Sequence, residues 1–461
     1  MDKTLNRKDL TEGVVWKKLL IFFLPIAAGT CIQQLYNAVD GLIVGRYVGT
    51  VALAAVGGSS AQIINLLIGF FVAITAGASV VIAQVYGAGR TRDVQLATGN
   101  AIAVFSLLGL LLMAVGLIFS PALLRLLRTP EDTMADSILY LRIYFIGVPF
   151  ILVLNMESNM LRSVGDSFSP FLYMVAGCLA NIVLDVLFVV GFHWGTAGVA
   201  IATVLAQVLN MALLTAKLLR TPEPYRLSLR ELKLKGVYLR NMLRLGIPSG
   251  LQSSMYAVSN MIIQIGVNSL GTVVVASWAM SGKVDGAFWA ITSAFGTALT
   301  TFVGQNYGAG KLDRIRACAK KSLLLMTAMT LSVSGILLLI ARPLLHLLTN
   351  DGAVIDTTWY IILLFVPFYL IWVPIEVFSG VLRGVGDVLT PSLILAGGIC
   401  GFRILWLLTA FNLSHTLLTL CICYPLSWVV TDIAIYLYFR RSPVMTRAVR
   451  VIDSDYDHKT R

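Results

Sequence analysis

The chain has 461 residues, 57% of them hydrophobic and 13% charged, with a formal net charge of +12 and a mean hydropathy of +0.84. So apolar a composition excludes both an ordinary soluble enzyme and an intrinsically disordered chain. It leaves a polytopic membrane protein: at about 20 apolar residues per crossing of roughly 30 Å of hydrocarbon, this length holds about a dozen helices and little else.

Residues 1–15, with Asp2, Lys3, Arg7, Lys8 and Asp9 ahead of the apolar stretch from Leu19, read as a cytoplasmic amphipathic lead-in with no cleavable signal. Hydrophobic runs then predict six spans at approximately 16–45, 52–84, 94–119, 137–161, 168–190 and 196–219. Residues 220–239 form a cytoplasmic linker at the bilayer surface, built from the Thr221-Pro-Glu-Pro224 turn and an alternating Leu-Lys-Leu-Lys segment. Six more spans follow at approximately 240–268, 276–305, 318–342, 355–381, 391–411 and 416–438, and residues 439–461 are a cytoplasmic tail.

The 35 Lys and Arg residues divide sharply across these spans. One set of alternate loops and both termini hold 28 of them; the opposite loops hold only Arg125, Arg128 and Arg342. This positive-inside pattern puts both termini in the cytoplasm of a cell (inner) membrane protein. The basic residues are scattered through short loops with no groove-reading motif, so nucleic acid is not an expected partner. The six cysteines show no CxxC or His-spaced pattern, and neither a disulfide nor a zinc site is expected.

Self-comparison reveals an internal repeat. Gln84-Val-Tyr-Gly-Ala-Gly89 recurs as Gln305-Asn-Tyr-Gly-Ala-Gly310, and Leu161-Arg-Ser-Val-Gly-Asp166 with Pro170 recurs as Leu382-Arg-Gly-Val-Gly-Asp387 with Pro391, all at an offset of 221. Gly49-Thr-Val51 recurs as Gly271-Thr-Val273 at 222, and Pro25 matches Pro248 at 223. The expected fold is all-α integral membrane: twelve transmembrane helices in two pseudo-symmetric six-helix bundles, 16–219 and 240–438. Six spans is an even number, so both copies enter the membrane in the same orientation. The Gly-rich turns are not phosphate-binding loops, because neither is followed by Lys-Ser or Lys-Thr.

Function is expected where the halves differ. Asp40 corresponds to Ile262 at offset 222, and Asp185 to Trp406 at offset 221, so the first half owns two intramembrane acids that the second lacks. An ionised carboxylate in hydrocarbon costs several kcal/mol, so these acids must be paired, ion-bound or protonated. Gln33, Asn37 and Asp40 share one face of the first helix with Tyr36 beside them; Asn181 and Asp185 are one turn apart on the fifth; Thr203 and Gln207 are one turn apart on the sixth. Such an oxygen cluster suits Na⁺, or a carboxylate pair that shares protons; interhelical hydrogen-bond glue is the plainer reading for Asn181 and Thr203. Tyr36, Met156, Tyr256, Met280 and Trp289 are candidates to pad a cavity for flat cations, although lipid-facing aromatics are common. Glu157, two residues from Asn155, either neutralises Arg162 or lines the cavity. Lys283, Asp285, Glu376, Arg403 and Asp432 form a second polar set, for which structural neutralisation is as good a reading as substrate contact.

The run from Pro25 to Asp40 with Gly45, the two repeated motifs, and Asn181-Ile-Val-Leu-Asp185 followed by Gly195-Thr-Ala-Gly198 and Thr203 resemble the MATE (multidrug and toxic compound extrusion) family over essentially the whole chain. The resemblance implies a MATE-type fold and a secondary antiporter, not an enzyme. Such a protein exports small organic, mostly cationic compounds against inward Na⁺ or H⁺, by alternating access, as a monomer and without a cofactor. In the bacterial DinF-like branch the cation site maps onto Asp40, Asn181, Asp185 and Thr203, with helix bending at Pro25. The implied substrate cavity takes Gln33, Tyr36, Asn37, Asn155, Met156, Tyr256 and Met280. Another branch carries coupling acids on the seventh and tenth spans; here Trp372 stands at the tenth-span position and the seventh span has no acid, with Glu376 one turn further on. A rival from the same superfamily is a lipid-linked oligosaccharide flippase, whose pyrophosphate head group would need Arg403 and Lys283. An integral membrane enzyme is a weaker alternative, since His193, His346, His415 and His458 lie at loops or the tail.

Overall fold

The computed structural model describes residues 9–442 except 224, 229, 231 and 233–235. The start of the lead-in, the tail beyond 442 and both linker lysines, Lys233 and Lys235, lie outside the described residues. Nearly everything described is helix, as apolar runs in lipid require, because only an intra-segment ladder satisfies every backbone N–H and C=O there.

In chain order the helices are α1 (Val15–Ile43), α2 (Thr50–Gly57), α3 (Ser59–Gly87), α4 (Thr91–Leu126), α5 (Glu131–Ser163), α6 (Phe168–Asp185) and α7 (Gly195–Arg220). There follow α8 (Gly236–Ser269), α9 (Thr272–Gly308), α10 (Leu312–Leu348), α11 (Gly352–Phe365), α12 (Tyr369–Gly384), α13 (Leu389–Leu395), α14 (Phe402–Trp406) and α15 (Leu417–Arg441). Several are pieces of one span. Gly58 divides α2 from α3, and a single turn at Val366–Phe368, containing Pro367, divides α11 from α12. Among the described residues, eleven helical stretches have the length and apolarity to cross a membrane. The twelfth expected span, α8, has 34 residues but is diluted by Arg240, Asn241, Arg244, Gln252 and a run of serines.

The repeat read from sequence is a repeat of backbone geometry. Gly89 and Gly310 have φ of 71° and 70°, Gly165 and Gly386 87° and 90°, and Gly49 and Gly271 111° and 98°. The Gln-x-Tyr-Gly-Ala-Gly turns close with the same bonds: Arg90 N–H to Val85 C=O at 3.3 Å and Lys311 N–H to Asn306 C=O at 2.9 Å. These are left-handed helix stops that a Cβ would strain.

Contacts divide the chain into two units. The first is built on Phe22–Ser253, the second on Leu10–Ile21 together with Ser254 onward. In the first, α5 packs along α4, α7 and α3, and α6 along α7; in the second, α9 packs on α10, α11 and α12, and α12 on α15. Two helices change unit part-way. α1 passes from the second to the first after Ile21, four residues before Pro25, and α8 passes from the first to the second after Ser253, five residues beyond Pro248. The early part of α8 meets α3 so closely that a Cβ on Gly77 would overlap the Gly246 backbone.

The entry to α1 is held by the second unit's repeat turn. Leu10 is 1% exposed; its N–H donates to Gln305 Oε1 at 3.2 Å, and its carbonyl accepts from Asn306 Nδ2 and from Arg314, both at 3.2 Å. Arg314 also donates to the Gly13 carbonyl at 2.8 Å and to Asn306 Oδ1 at 2.9 Å. Arg314→Ala is expected to cost about 1–2 kcal/mol, read as a lowered thermal midpoint in detergent. Arg314→Lys should recover little of it, since an ammonium lacks the planar fork that serves three acceptors.

Candidate functional site

The first unit brings together the polar residues of three helices. α1 supplies Tyr36 and Asp40 near its end, α6 supplies Asn181 and its terminal Asp185, and α7 supplies Thr203. Asn181, Asp185 and Thr203 are buried. The Asn181 amide is oriented by its neighbours: only with nitrogen toward Asp185 does it donate to Oδ2, at 2.7 Å, while its oxygen accepts the Thr203 N–H at 3.2 Å. The Thr203 hydroxyl donates to the Val199 carbonyl at 3.0 Å and stands beside the Tyr36 hydroxyl. The carboxyls of Asp40 and Asp185 face each other within hydrogen-bonding reach. Each keeps one buried oxygen, Oδ1, to which no protein group donates a hydrogen bond. Ile43, Val44, Val189, Val199 and Tyr140 pack around this centre.

Local backbone geometry explains how the acids are aimed. The α-helical ladder widens into π-helical turns at Val44–Val48, directly after α1, and at Val186–Gly191, directly after Asp185. Such turns rotate the side chains that flank them out of the regular 3.6 register and recur at functional sites. Two like charges at this separation in a buried setting repel strongly, and a proton or a small hard cation between them removes the repulsion. Apart from the Asn181 amide, the groups facing this point are carboxyl and hydroxyl oxygens, which suits that occupant and no soft metal.

The counterpart positions in the second unit show what the scaffold accepts without this chemistry. Ile262 and Trp406 stand where Asp40 and Asp185 do, and both join an apolar cluster with Ile263, Val267, Leu407 and Phe411. The Trp406 indole N–H donates to the Thr419 carbonyl at 2.9 Å. The fold is thus complete with an apolar centre at this place.

The remaining candidates are dispersed. Gln33 and Asn37 are exposed on α1, and Met156 is fully buried inside the first unit. Asn155 Nδ2 donates to the Ile151 carbonyl of its own helix at 2.8 Å. Tyr256 and Met280 belong to the second unit, where the Tyr256 hydroxyl is buried without a protein partner. Pro25 sits inside α1, about 22 Å along the helix from Asp40. Sequence reading missed Tyr140 and Tyr144 of α5, whose rings lie 6.0 Å apart beside the acids; their one-turn spacing in an apolar helix was the available signal. Glu157 bonds Thr215 at 2.6 Å instead of pairing with Arg162. Glu376 forms an ion pair with Arg383 at 2.9 Å. Asp285 adjoins Tyr369, and Arg403 lies 3.8 Å from the centre of the Tyr424 ring with Nε donating to Ser427 at 3.3 Å.

A family model described as MatE matches residues 25–187 and again 248–409, one match in each half of the repeat. The chain belongs to the MATE family. It is 27% identical over 441 residues to the probable multidrug resistance protein YoeA of Bacillus subtilis (strain 168), covering 92% of this chain and 94% of that protein. It is 30% identical over 317 residues to YpnP of the same organism, also named a probable multidrug resistance protein, covering 67% and 68%. A solved outward-facing MATE transporter of the MOP superfamily superposes with a TM-score of 0.88 at 22% identity, covering 96% of this chain and 98% of that one. This MATE protein is therefore a multi-span membrane transporter of small molecules, built on the MATE-type fold, and not an enzyme.

In this transporter Asn181 serves both Asp185 and the Thr203 backbone. Asn181→Ala should cost about 1–3 kcal/mol in thermal unfolding. Combined with Asp185→Asn, it should cost less than the sum of the two single changes, since the shared contact is lost once.

Proposed function

We propose that this MATE transporter is an antiporter of the cell (inner) membrane, with both termini in the cytoplasm, that exports organic cations in exchange for inward protons. The reading rests on one observation: half-buried Asp40 and buried Asp185 face each other, with no basic side chain paired to either among the described residues. Asn181, Asp185, Asp40 and Thr203 have the residue types of the cation site implied by the DinF-like resemblance. The proton is favoured over Na⁺ by the approach of the two carboxyls to within hydrogen-bonding reach of each other, the arrangement in which a carboxyl pair shares a proton.

Exchange follows from differential affinity. A ligand shifts a conformational equilibrium only by as much as it prefers one state. A proton shared by Asp40 and Asp185 takes the pair from −2 to −1 and so weakens its hold on an organic cation, and its departure restores the full charge. Loading by cation on one side and by proton on the other then drives alternation between inward-open and outward-open states. Gln33 and Asn37, exposed on the same helix, extend the polar face offered to substrate. Pro25 leaves α1 one backbone hydrogen bond short, which makes it the place for that helix to bend. Solved neighbours in this fold include one in a bent and one in a straight conformation. Of the two basic residues the flippase reading needs, Arg403 is engaged by Tyr424 and Ser427, which leaves Lys283 alone to meet a pyrophosphate.

Efflux of a fluorescent organic cation from proteoliposomes tests the proposal. An imposed pH gradient should drive wild-type efflux and leave Asp40→Asn silent, at equal protein in the membrane. Efflux driven by a Na⁺ gradient at symmetric pH would replace the proton by sodium. Indifference to both gradients would end the antiport reading.

A further inference from the structure

A second carboxyl station lies deeper in the first unit. Glu157 of α5 has no exposed surface. The Thr215 hydroxyl of α7 donates to its Oε1 at 2.6 Å, and its Oε2 is buried without a protein partner. An amide would accept the threonine hydroxyl equally well without the desolvation cost of an ionisable group, so hydrogen-bond glue does not explain an acid here.

The charged groups around it do not neutralise it. On α7, Lys217 pairs with Asp166 at 3.6 Å, and on α4, Asp93 accepts from the Tyr238 hydroxyl at 3.0 Å. α2 and α3 carry no Asp, Glu, Lys or Arg; α3 meets α5 through Thr75, bonded by Asn159 at 2.7 Å, and through the Ser79 carbonyl, bonded by Ser163 at 2.9 Å. The single acid of α6 is Asp185, at its far end. Arg162, five residues along α5, forms no ion pair with Glu157; its own Nε is buried without a partner.

The internal repeat shows that Glu157 belongs with the cation site. At the same offset of 221, Glu157 becomes Phe378, Asn181 becomes Phe402, Asp185 becomes Trp406, Thr203 becomes Tyr424 and Thr215 becomes Tyr436. Five polar positions of the first unit are five aromatics in the second. The Glu157–Thr215 contact itself is replaced by rings of Phe378 and Tyr436 packed 5.8 Å apart. Polarity at these five positions is therefore not demanded by the scaffold, whereas Asn210 becomes the buried Thr431 and stays polar in both units.

The set is also spatially ordered. Asn181 sits one turn from Asp185, and Gly177 one turn further; the bare face of Gly177 admits Asn210 of α7, within 3.2 Å of where a Cβ would stand. Asn210 is buried, with Oδ1 unpartnered. Thr215 follows five residues on, so Thr203, Asn210 and Thr215 descend α7 over about 18 Å toward Glu157, which is itself about 9 Å from the end of α5.

We infer that Glu157 is the inner proton station of the transporter, taking the proton released from the Asp40–Asp185 pair and passing it to the cytoplasm. The inference rests on the proposed proton exchange. The step is a proton transfer alone: the departing proton forms an O–H bond at Glu157 Oε2, and that bond then breaks as the proton passes to cytoplasmic water, regenerating the carboxylate. Between the two stations the polar groups are the buried Asn181 and Asn210 and the half-buried Thr215.

The test compares two modes of transport in proteoliposomes. Glu157→Gln should slow pH-gradient-driven efflux of a fluorescent organic cation by about tenfold or more. It should leave exchange of labelled for unlabelled cation at equal pH near the wild-type rate, because exchange needs no net proton movement. Glu157→Asp should recover gradient-driven efflux. Wild-type gradient-driven efflux by Glu157→Gln would overturn the inference, and so would an equal loss of both modes, which would mark a purely structural group. A wild-type protein indifferent to the pH gradient would remove the exchange reading and this station with it.

Discussion

Everything in this molecule turns on the cost of holding a carboxyl group inside a helical bundle with no cation to match it. Water is absent from the hydrocarbon core, and burial of an isolated charge costs several kcal/mol even after relaxation. A chain that meets this cost twice at one point, with Asp40 and Asp185 facing each other, gains nothing in stability, as the apolar Ile262 and Trp406 at the equivalent place demonstrate. The arrangement makes sense as a site whose charge is meant to be cancelled and restored. The supporting residues follow from that demand: Asn181 fixes one Asp185 oxygen, and the Thr203 N–H fixes Asn181.

The architecture supplies two kinds of element around this point. Rigid parts come from close backbone approach and full hydrogen bonding, as where α3 meets the start of α8 and where Arg314 and Asn306 grip Leu10 and Gly13. Compliant parts come from interrupted ladders, at Pro25, at Pro248 and at the π-helical turns, where a backbone bond is missing or rerouted. α1 has both. Its entry is clamped in the second unit, its later turns belong to the first, and its proline lies just beyond the handover, with Asp40 at the far end.

Much of this was legible in the sequence, and for definite physical reasons. Hydrophobic runs must be helices in lipid, so the spans were readable to within a few residues. The repeated glycine turns were readable because positive-φ backbone restricts the residue type, and Gly89 and Gly310, Gly165 and Gly386, and Gly49 and Gly271 do take a positive φ. Asp40 and Asp185 stood out because intramembrane acids are costly and their repeat partners are apolar. The division of spans at Gly58 and Pro367, and the π-helical turns, were not legible, because they depend on packing and not on hydrophobic period. The same holds for pairings across helices. Nothing in the spacing of Glu157 pointed to Thr215, 58 residues away, or brought Tyr140 and Tyr144 beside the acids. α8 was read as a span from its hydrophobic run, although its apolarity is diluted by polar residues.

The central claim is that one carboxyl pair binds either a proton or an organic cation. Addition of a transported organic cation to the purified protein in weakly buffered detergent solution, followed with a pH indicator, measures this directly. The account predicts release of about one proton per bound cation, abolished in Asp185→Asn, because the two ligands compete for the same charge. Saturable cation binding with no proton released at any pH would contradict it.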